Sequence, residues 1–278
     1  MVKNTFRSGD MLGKIGFIGA GNMAGAIIGG IVKARPEMAQ NICANDVITD
    51  VLSGLQGKFG IFTTSSVTEL VDNCNTIFLS VKPNKINEVI NIIKNNVNGE
   101  KLIVSIAAGN TLEQLADAFN PGTRIIRVMP NTPALVGQAM TAICPGKFAT
   151  DADVQIVQEI FNSIGQSQVL PESLMHAFIG VCGSSPAYAF MFIEALADAG
   201  VKHGLSRADS IKFSAQAVLG AARMVLDSPS HPAQLRDAVC SPGGTTICAV
   251  AELEAEGFRN AIIKATTACV EKSIEMSK

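Results

Sequence analysis

From residue 14 to about residue 127 the chain alternates short, uninterrupted apolar runs with stretches whose apolar positions recur every three or four residues. Residues 14–18 (KIGFI), 42–45, 76–81 (TIFLSV), 102–106 (LIVSI) and 124–129 (RIIRVM) read as strands. Residues 22–34 and a stretch ending near Lys58 read as helices, and helix-like segments follow the later strands. Strands apolar at successive positions and separated by helices are those buried on both faces of a parallel sheet. Right-handed crossovers then give a doubly wound, Rossmann-like α/β domain.

After about Pro171 the pattern changes to long helical periods rich in Ala, Met and Phe, at 186–204 and 206–226, with further helices reaching Glu256 and Met276. Ser206 and Asp209 resemble a capping box in which Asp replaces the usual Glu or Gln. No strand-like alternation returns, so an all-α C-terminal domain is expected. Its Ala-rich, weakly charged faces exceed what a bundle of this size buries, which predicts a homodimer interface. The expected organisation is an N-terminal extension at 1–12, a dinucleotide-binding domain at 13–170, and a helical substrate-binding and dimerisation domain at 171–278. Polar residues 1–12 lack the apolar core of a secretory leader and read as disordered.

Composition narrows the function. Of 278 residues, 47% are hydrophobic and 17% charged, which suits a large core. A net charge of −2 with no basic run excludes an electrostatic footprint for nucleic acid. No stretch of about 20 uninterrupted apolar residues occurs, so no membrane span is expected. Seven scattered cysteines without a C-x-x-C pair read as buried small hydrophobes in a reducing, cytoplasmic compartment. Three histidines, none at ligand spacing, argue against a metal.

Gly19-Ala20-Gly21-Asn22-Met23-Ala24 fits the G-x-G-x-x-G/A pattern between a strand and a helix. The first glycine makes the turn, the second admits a pyrophosphate to the backbone, and Ala24 permits close helix–strand packing. The following helix start binds phosphate through N–H groups and dipole. Asn45-Asp46 ends the second strand, where the adenine ribose is read. An acid there favours NADH, whereas a helix-capping Asp fits equally well, so NADP or NAD stays open. Val81-Lys82-Pro83 closes a strand at the carboxyl edge of the sheet, where cofactor lies in this fold.

A second loop, Ser241-Pro242-Gly243-Gly244-Thr245-Thr246, precedes a helix beginning near Ile247. Its glycines permit N–H groups to converge on an anion the size of a carboxylate; a solvent-exposed capped helix start is the alternative. A hydroxy-acid dehydrogenase needs a general base, and the helical half has no Lys followed one turn later by Asn. A C=N bond needs only a hydroxyl donor and an oriented hydride. Together these features point to reduction of an imino acid.

The runs KIGFIGAGNMAGAI, FLSVKP, SIAAG, RVMPNTPA, GSSPAYAF and LRDAVCSPGGTTICAVAELEAEG, in this order and spacing, resemble the pyrroline-5-carboxylate reductases, the last enzymes of proline biosynthesis. The resemblance covers the chain from Lys14 onward. It implies NADPH- or NADH-dependent reduction of 1-pyrroline-5-carboxylate to L-proline. Ile18, Gly19, Ala20, Gly21, Asn22 and Met23 would bind pyrophosphate, with Asn45 or Asp46 at the 2′-phosphate position. Val81 and Lys82, with Pro83, would lie along the cofactor, and Ala108 near the nicotinamide. Ser241, Gly243, Gly244, Thr245 and Thr246 would receive the substrate carboxylate, with the Thr246 hydroxyl on the ring nitrogen. It also implies a homodimer assembled further, commonly into a decamer. The chain departs from the usual family pattern at His176-Ala177-Phe178-Ile179 and at Ser185; His176 reads as a partly buried polar residue.

Overall fold

Four-residue apolar runs bounded by polar turns become the central strands, because covering both faces leaves no position for water-seeking side chains. The computed structural model describes residues 12–277, so residues 1–11 of the expected N-terminal extension lie outside the described residues. The strands are β1 (Ile15–Ile18), β2 (Ile42–Asn45), β3 (Phe62–Thr63), β4 (Thr76–Leu79), β5 (Leu102–Ser105), β6 (Arg124–Met129), β7 (Ala139–Pro145) and β8 (Gly165–Val169). They form one sheet in the order β3-β2-β1-β4-β5-β6-β7-β8. All neighbours are parallel except β6 and β7. Strands β1, β4 and β5 are buried at every position.

Helices α1 (Asn22–Ala34), α2 (Thr49–Phe59), α3 (Val67–Asn73), α4 (Ile86–Ile93), α5 (Leu112–Ala118) and α6 (Asp151–Asn162) cover the sheet. One apolar cluster joins Phe17, Phe78 and Ile126 to Ile27 and Ile31 of α1 and Phe161 of α6. The other joins Ile18, Leu79 and Ile103 to Leu70 of α3, Ile90 of α4 and Leu115 of α5. Alternate residues of one strand thus feed opposite clusters, the signature of a doubly wound sheet. Phe17 stacks on Phe78 with centroids 4.6 Å apart. The expected parallel sheet is therefore correct in five strands, β1, β2, β4, β5 and β6; the two-residue edge strand β3 was not expected. The sheet is extended by an antiparallel β7 and by β8, whose polar, half-exposed residues give no continuous apolar run.

The chain divides into two units: one runs through Gly183 and includes Lys272 onward, the other is Ser184–Glu271. After the short α7 (Met175–Phe178), the remaining helices are α8 (Ser185–Lys202), α9 (Arg207–Asp227), α10 (Pro232–Val239), α11 (Thr245–Ala255) and α12 (Phe258–Glu275). No strand occurs among the described residues of this helical part. Ser206 caps α9: its hydroxyl accepts from the Asp209 N–H at 3.1 Å. It also donates to the Asp209 carboxylate at 2.7 Å, so Asp209 bonds the cap hydroxyl instead of the cap N–H. Within Ser184–Glu271 the only buried residues are Ala197 and Ser210, while Phe190, Met191, Leu226 and Ile263 are each 65–70% exposed. The expectation of buried cysteines holds for Cys74 and Cys144; Cys248 is exposed and the other four are half-buried, all seven being free thiols. Cys240, Cys248 and Cys269 lie in the helical unit, where almost every residue keeps solvent exposure.

Candidate active site

Three residues, Gly19-Ala20-Gly21, separate β1 from α1, so the chain must reverse within them. Gly19 has φ +95°, and its N–H donates to the Asn45 carbonyl at 2.8 Å. A Cβ at Gly19 would lie 2.6 Å from the Ser80 carbonyl oxygen, so the position admits only glycine. The Ser80 hydroxyl is shared between the carbonyls of Ile18 (3.0 Å) and Gly19 (2.6 Å). The Ala20 N–H donates to Asp46 Oδ2 at 2.7 Å, and the Ile48 N–H to Asp46 Oδ1 at 3.0 Å. Asp46 therefore fastens the glycine turn to the end of β2. It does not cap α2, whose cap residue is Ile48. Asn45 is buried, and its side-chain amide donates to the Thr64 carbonyl at 2.9 Å.

Gly21 caps α1 and supplies no side-chain acceptor. The first N–H groups of the helix are thus left for a ligand. No heavy atom lies within 4 Å of a Cβ built at Gly21, so the missing side chain leaves open space in front of those donors. Asn22 and Met23 follow in the first turn, with Ala24 buried beneath. Ala20, Gly21 and Asn22 lie at one end of a groove of about 1020 Å³ along α1. Val81 is half-buried and Lys82 exposed just past β4, and Pro83 opens a single 3-10 turn. Ala108 is exposed in the loop after β5. The turn, Asn45-Asp46, residues 81–83 and Ala108 all follow carboxyl ends of the parallel strands, where ligands bind in open α/β sheets.

The second loop belongs to the helical unit. Gly243 has φ +65°, and the Gly244 N–H donates to the Ser241 carbonyl at 3.0 Å, closing a tight turn. A Cβ on Gly244 would collide with Ser241 Oγ at 2.3 Å. Helix α11 starts at Thr245, the start of the helical stretch read to Glu256 and two residues before the start near Ile247 read from the loop: Gly244 is its cap, and both threonines lie in the first turn. The polar residues Thr245 and Thr246 hid two helical positions from the apolar period. Five other helix starts are closed by side chains, from Ser66, Thr111, Thr150, Ser206 and His231. Helices α1 and α11 are capped by glycine, so no side chain closes their first N–H donors; the caps of α2, α4 and α8 make no side-chain hydrogen bond either, but their cap residues carry side chains. The α1 start suits a pyrophosphate; the α11 start, flanked by three hydroxyls, suits a carboxylate.

Ser80, Arg127 and Glu172 join the site's framework without having been expected there from the sequence. Arg127, in β6, is 1% exposed and pairs with Glu172 at 2.6 Å. A cation inside the apolar run RIIRVM was the signal that could have identified it. His176 is half-buried, with Nδ1 2.9 Å from Ser273 Oγ. Among the described residues no three His, Cys, Asp or Glu side chains are grouped to hold a metal.

Residues 172–276 match the family model described as pyrroline-5-carboxylate reductase dimerisation, and 14–109 match one described as NADP oxidoreductase, coenzyme F420-dependent. The chain is 48% identical over 265 residues to the pyrroline-5-carboxylate reductase of Escherichia coli, covering 95% of this chain and 98% of that one. It is 43% identical to the Methanosarcina acetivorans enzyme, with the same coverages. Among solved structures, the pyrroline-5-carboxylate reductase of Coxiella burnetii superimposes with TM-score 0.91 at 32% identity, covering 96% of this chain and 99% of that one. The Plasmodium falciparum enzyme with NADP bound gives 0.86 at 34%, covering 95% and 98%. The helical run Glu172–Lys202 has mean hydropathy 1.3 and is long and apolar enough to cross a membrane, although it contains no uninterrupted apolar stretch of that length. It lies within the segment matched by the dimerisation model. Glycine turn, carboxylate-sized loop and end-to-end similarity agree: the chain belongs to the pyrroline-5-carboxylate reductase family.

Proposed function

We propose that this protein reduces 1-pyrroline-5-carboxylate to L-proline, using NADPH or NADH. The observation that carries this reading is the second open helix start, α11, with Thr245 and Thr246 in its first turn. The dinucleotide phosphates are held by the backbone from Ile18 to Met23, and its ribose lies at Asn45 and Asp46. Val81, Lys82, Pro83 and Ala108 line the remainder. Bound there, the reduced nicotinamide supplies the hydride that C5 of the ring accepts. Residues Ser241, Gly243, Gly244, Thr245 and Thr246 hold the substrate carboxylate through N–H groups, aided by the α11 dipole. The Thr246 hydroxyl donates a hydrogen bond to the ring nitrogen, which takes a proton supplied by solvent, passed through that hydroxyl, as the C=N bond becomes C–N. No strong base is needed, because the nitrogen, not a protein group, takes the proton.

The helical domain, expected at 171–278, serves substrate binding and dimerisation, and the dinucleotide domain at 13–170 serves the cofactor. The exposed apolar faces of α8, α9 and α12 are covered in a homodimer, with dimers assembled further into a ring such as a decamer. The enzyme acts in the cytoplasm. Purified protein mixed with pyrroline-5-carboxylate and each reduced dinucleotide tests the reading: reduced-nicotinamide absorbance falls as proline forms. Absence of proline with both cofactors would falsify it. Light scattering across a concentration series measures the assembly.

A further inference from the structure

Residues 106–110 join β5 to α5 at the carboxyl edge of the sheet. In strand order they lie two strands from β1, on the side away from β2. A dinucleotide with its pyrophosphate at α1 and its adenine ribose at β2 extends its nicotinamide towards this side. Ala108 is exposed there, and Gly109 turns the backbone with φ +88°.

Distant parts of the same unit hold this loop at its α5 end. Glu172 Oε1 accepts from the Leu112 N–H at 2.8 Å, at the first residue of α5, and from Arg127 Nη1 at 2.6 Å. Gln114 accepts from the Thr111 N–H at 3.0 Å and donates to the Ser277 carbonyl at 3.3 Å. The Arg127 guanidinium is buried, and its Nε and Nη2 atoms have no partner among the described residues. Its strand neighbour across the β6–β7 ladder is Cys144, whose thiol burial pushes up to about 11. A cation in such surroundings depends on its single carboxylate, so Glu172 has little freedom to leave it. Such pairs add little net stability but fix geometry.

We infer that Glu172 and Arg127 are positioning residues for hydride transfer: Arg127 fixes the Glu172 carboxylate, which fixes the start of α5 and with it the 106–110 backbone beside the nicotinamide. The inference rests on the dinucleotide reading of the α1 turn. Neither residue touches the reacting atoms.

The test is the double variant Arg127→Met with Glu172→Met in the full-length chain, which removes both charges together so that neither is stranded. Expected are a retained fold, dinucleotide affinity within about threefold of the parent because the pyrophosphate site is untouched, and kcat lower by about ten- to a hundredfold, the scale of a misplaced reacting group. Amide exchange at 106–112 accelerates. Glu172→Gln keeps an acceptor for the Leu112 N–H and recovers part of kcat; it also carries the test if the double variant does not fold. An unchanged kcat with only a lowered melting temperature makes the pair structural and overturns the inference, as does unchanged exchange at 106–112. If the parent chain fails to reduce pyrroline-5-carboxylate, the functional reading falls on its own. The exchange measurement then still decides whether the pair holds the loop.

Discussion

The two glycine-capped helix starts use one physical device in opposite settings. At α1 the turn is fastened from three sides, by Asn45, Asp46 and Ser80, around a Gly19 with no room for a methyl group. At α11 the Gly243 position has nothing within 4 Å of a Cβ, and the loop closes on itself through Ser241. The first site is rigid before ligand arrives, as suits a diphosphate common to many reactions. At Gly243 the second is bounded by little of its own chain, and under the proposed function its selectivity would rest on the hydroxyls of Ser241, Thr245 and Thr246. The lesson is that a glycine cap leaves room for an anion at a helix start, while the surroundings decide which anion fits.

The contrast can be broken most severely at Gly19. Gly19→Ala adds a left-handed φ to a backbone clash, together about 4 kcal/mol. Dinucleotide affinity should fall by about a thousandfold, measured by fluorescence titration. Next comes Thr246→Ala, which should cut kcat by about a hundredfold while leaving dinucleotide affinity intact, read in steady-state and binding assays side by side. Gly21→Ala separates folding from binding. Its φ of −67° and open surroundings leave the melting temperature unchanged, whereas the methyl fills the phosphate space and weakens the dinucleotide by about tenfold. Gly243→Ala meets strain without a clash, about 1 kcal/mol, and should raise KM for the imine by about fivefold. Equal losses at Gly19 and Gly243 would erase the proposed difference in rigidity.

The mildest probe is chemical. Burial pushes the Cys74 thiol up to about 12, and Cys74 packs beneath Gly16 of β1. Buried and held as the neutral thiol, it should react with a thiol reagent only after the first unit opens. Mass spectrometry of the native and denatured protein reads this directly.

Much of the first unit was legible because its strands are buried on both faces and so read as unbroken apolar runs. Residues 22–34 and 124–129 match α1 and β6 in full. Strand β8 was not, since Gly165–Val169 alternates half-exposed polar residues at the sheet edge. Gly19 and Gly243 could be read from type and spacing. Ser80 could not, because its role is set by a carbonyl 62 residues away, and no local pattern encodes that pairing. Asp46 illustrates the same limit: sequence offered ribose or helix cap, and the fold ties its carboxylate to the Ala20 and Ile48 amides.

The bare apolar helices between Ser184 and Glu271 also impose an order on biogenesis. The sheet unit draws its core almost wholly from residues made before the helices, so it can condense while synthesis continues. In the homodimer proposed above, the helical unit would gain its burial only when a second chain arrives, making completion a bimolecular event whose rate rises with the square of subunit concentration. At low protomer concentration, the search of one protomer for another would then set the pace of that step.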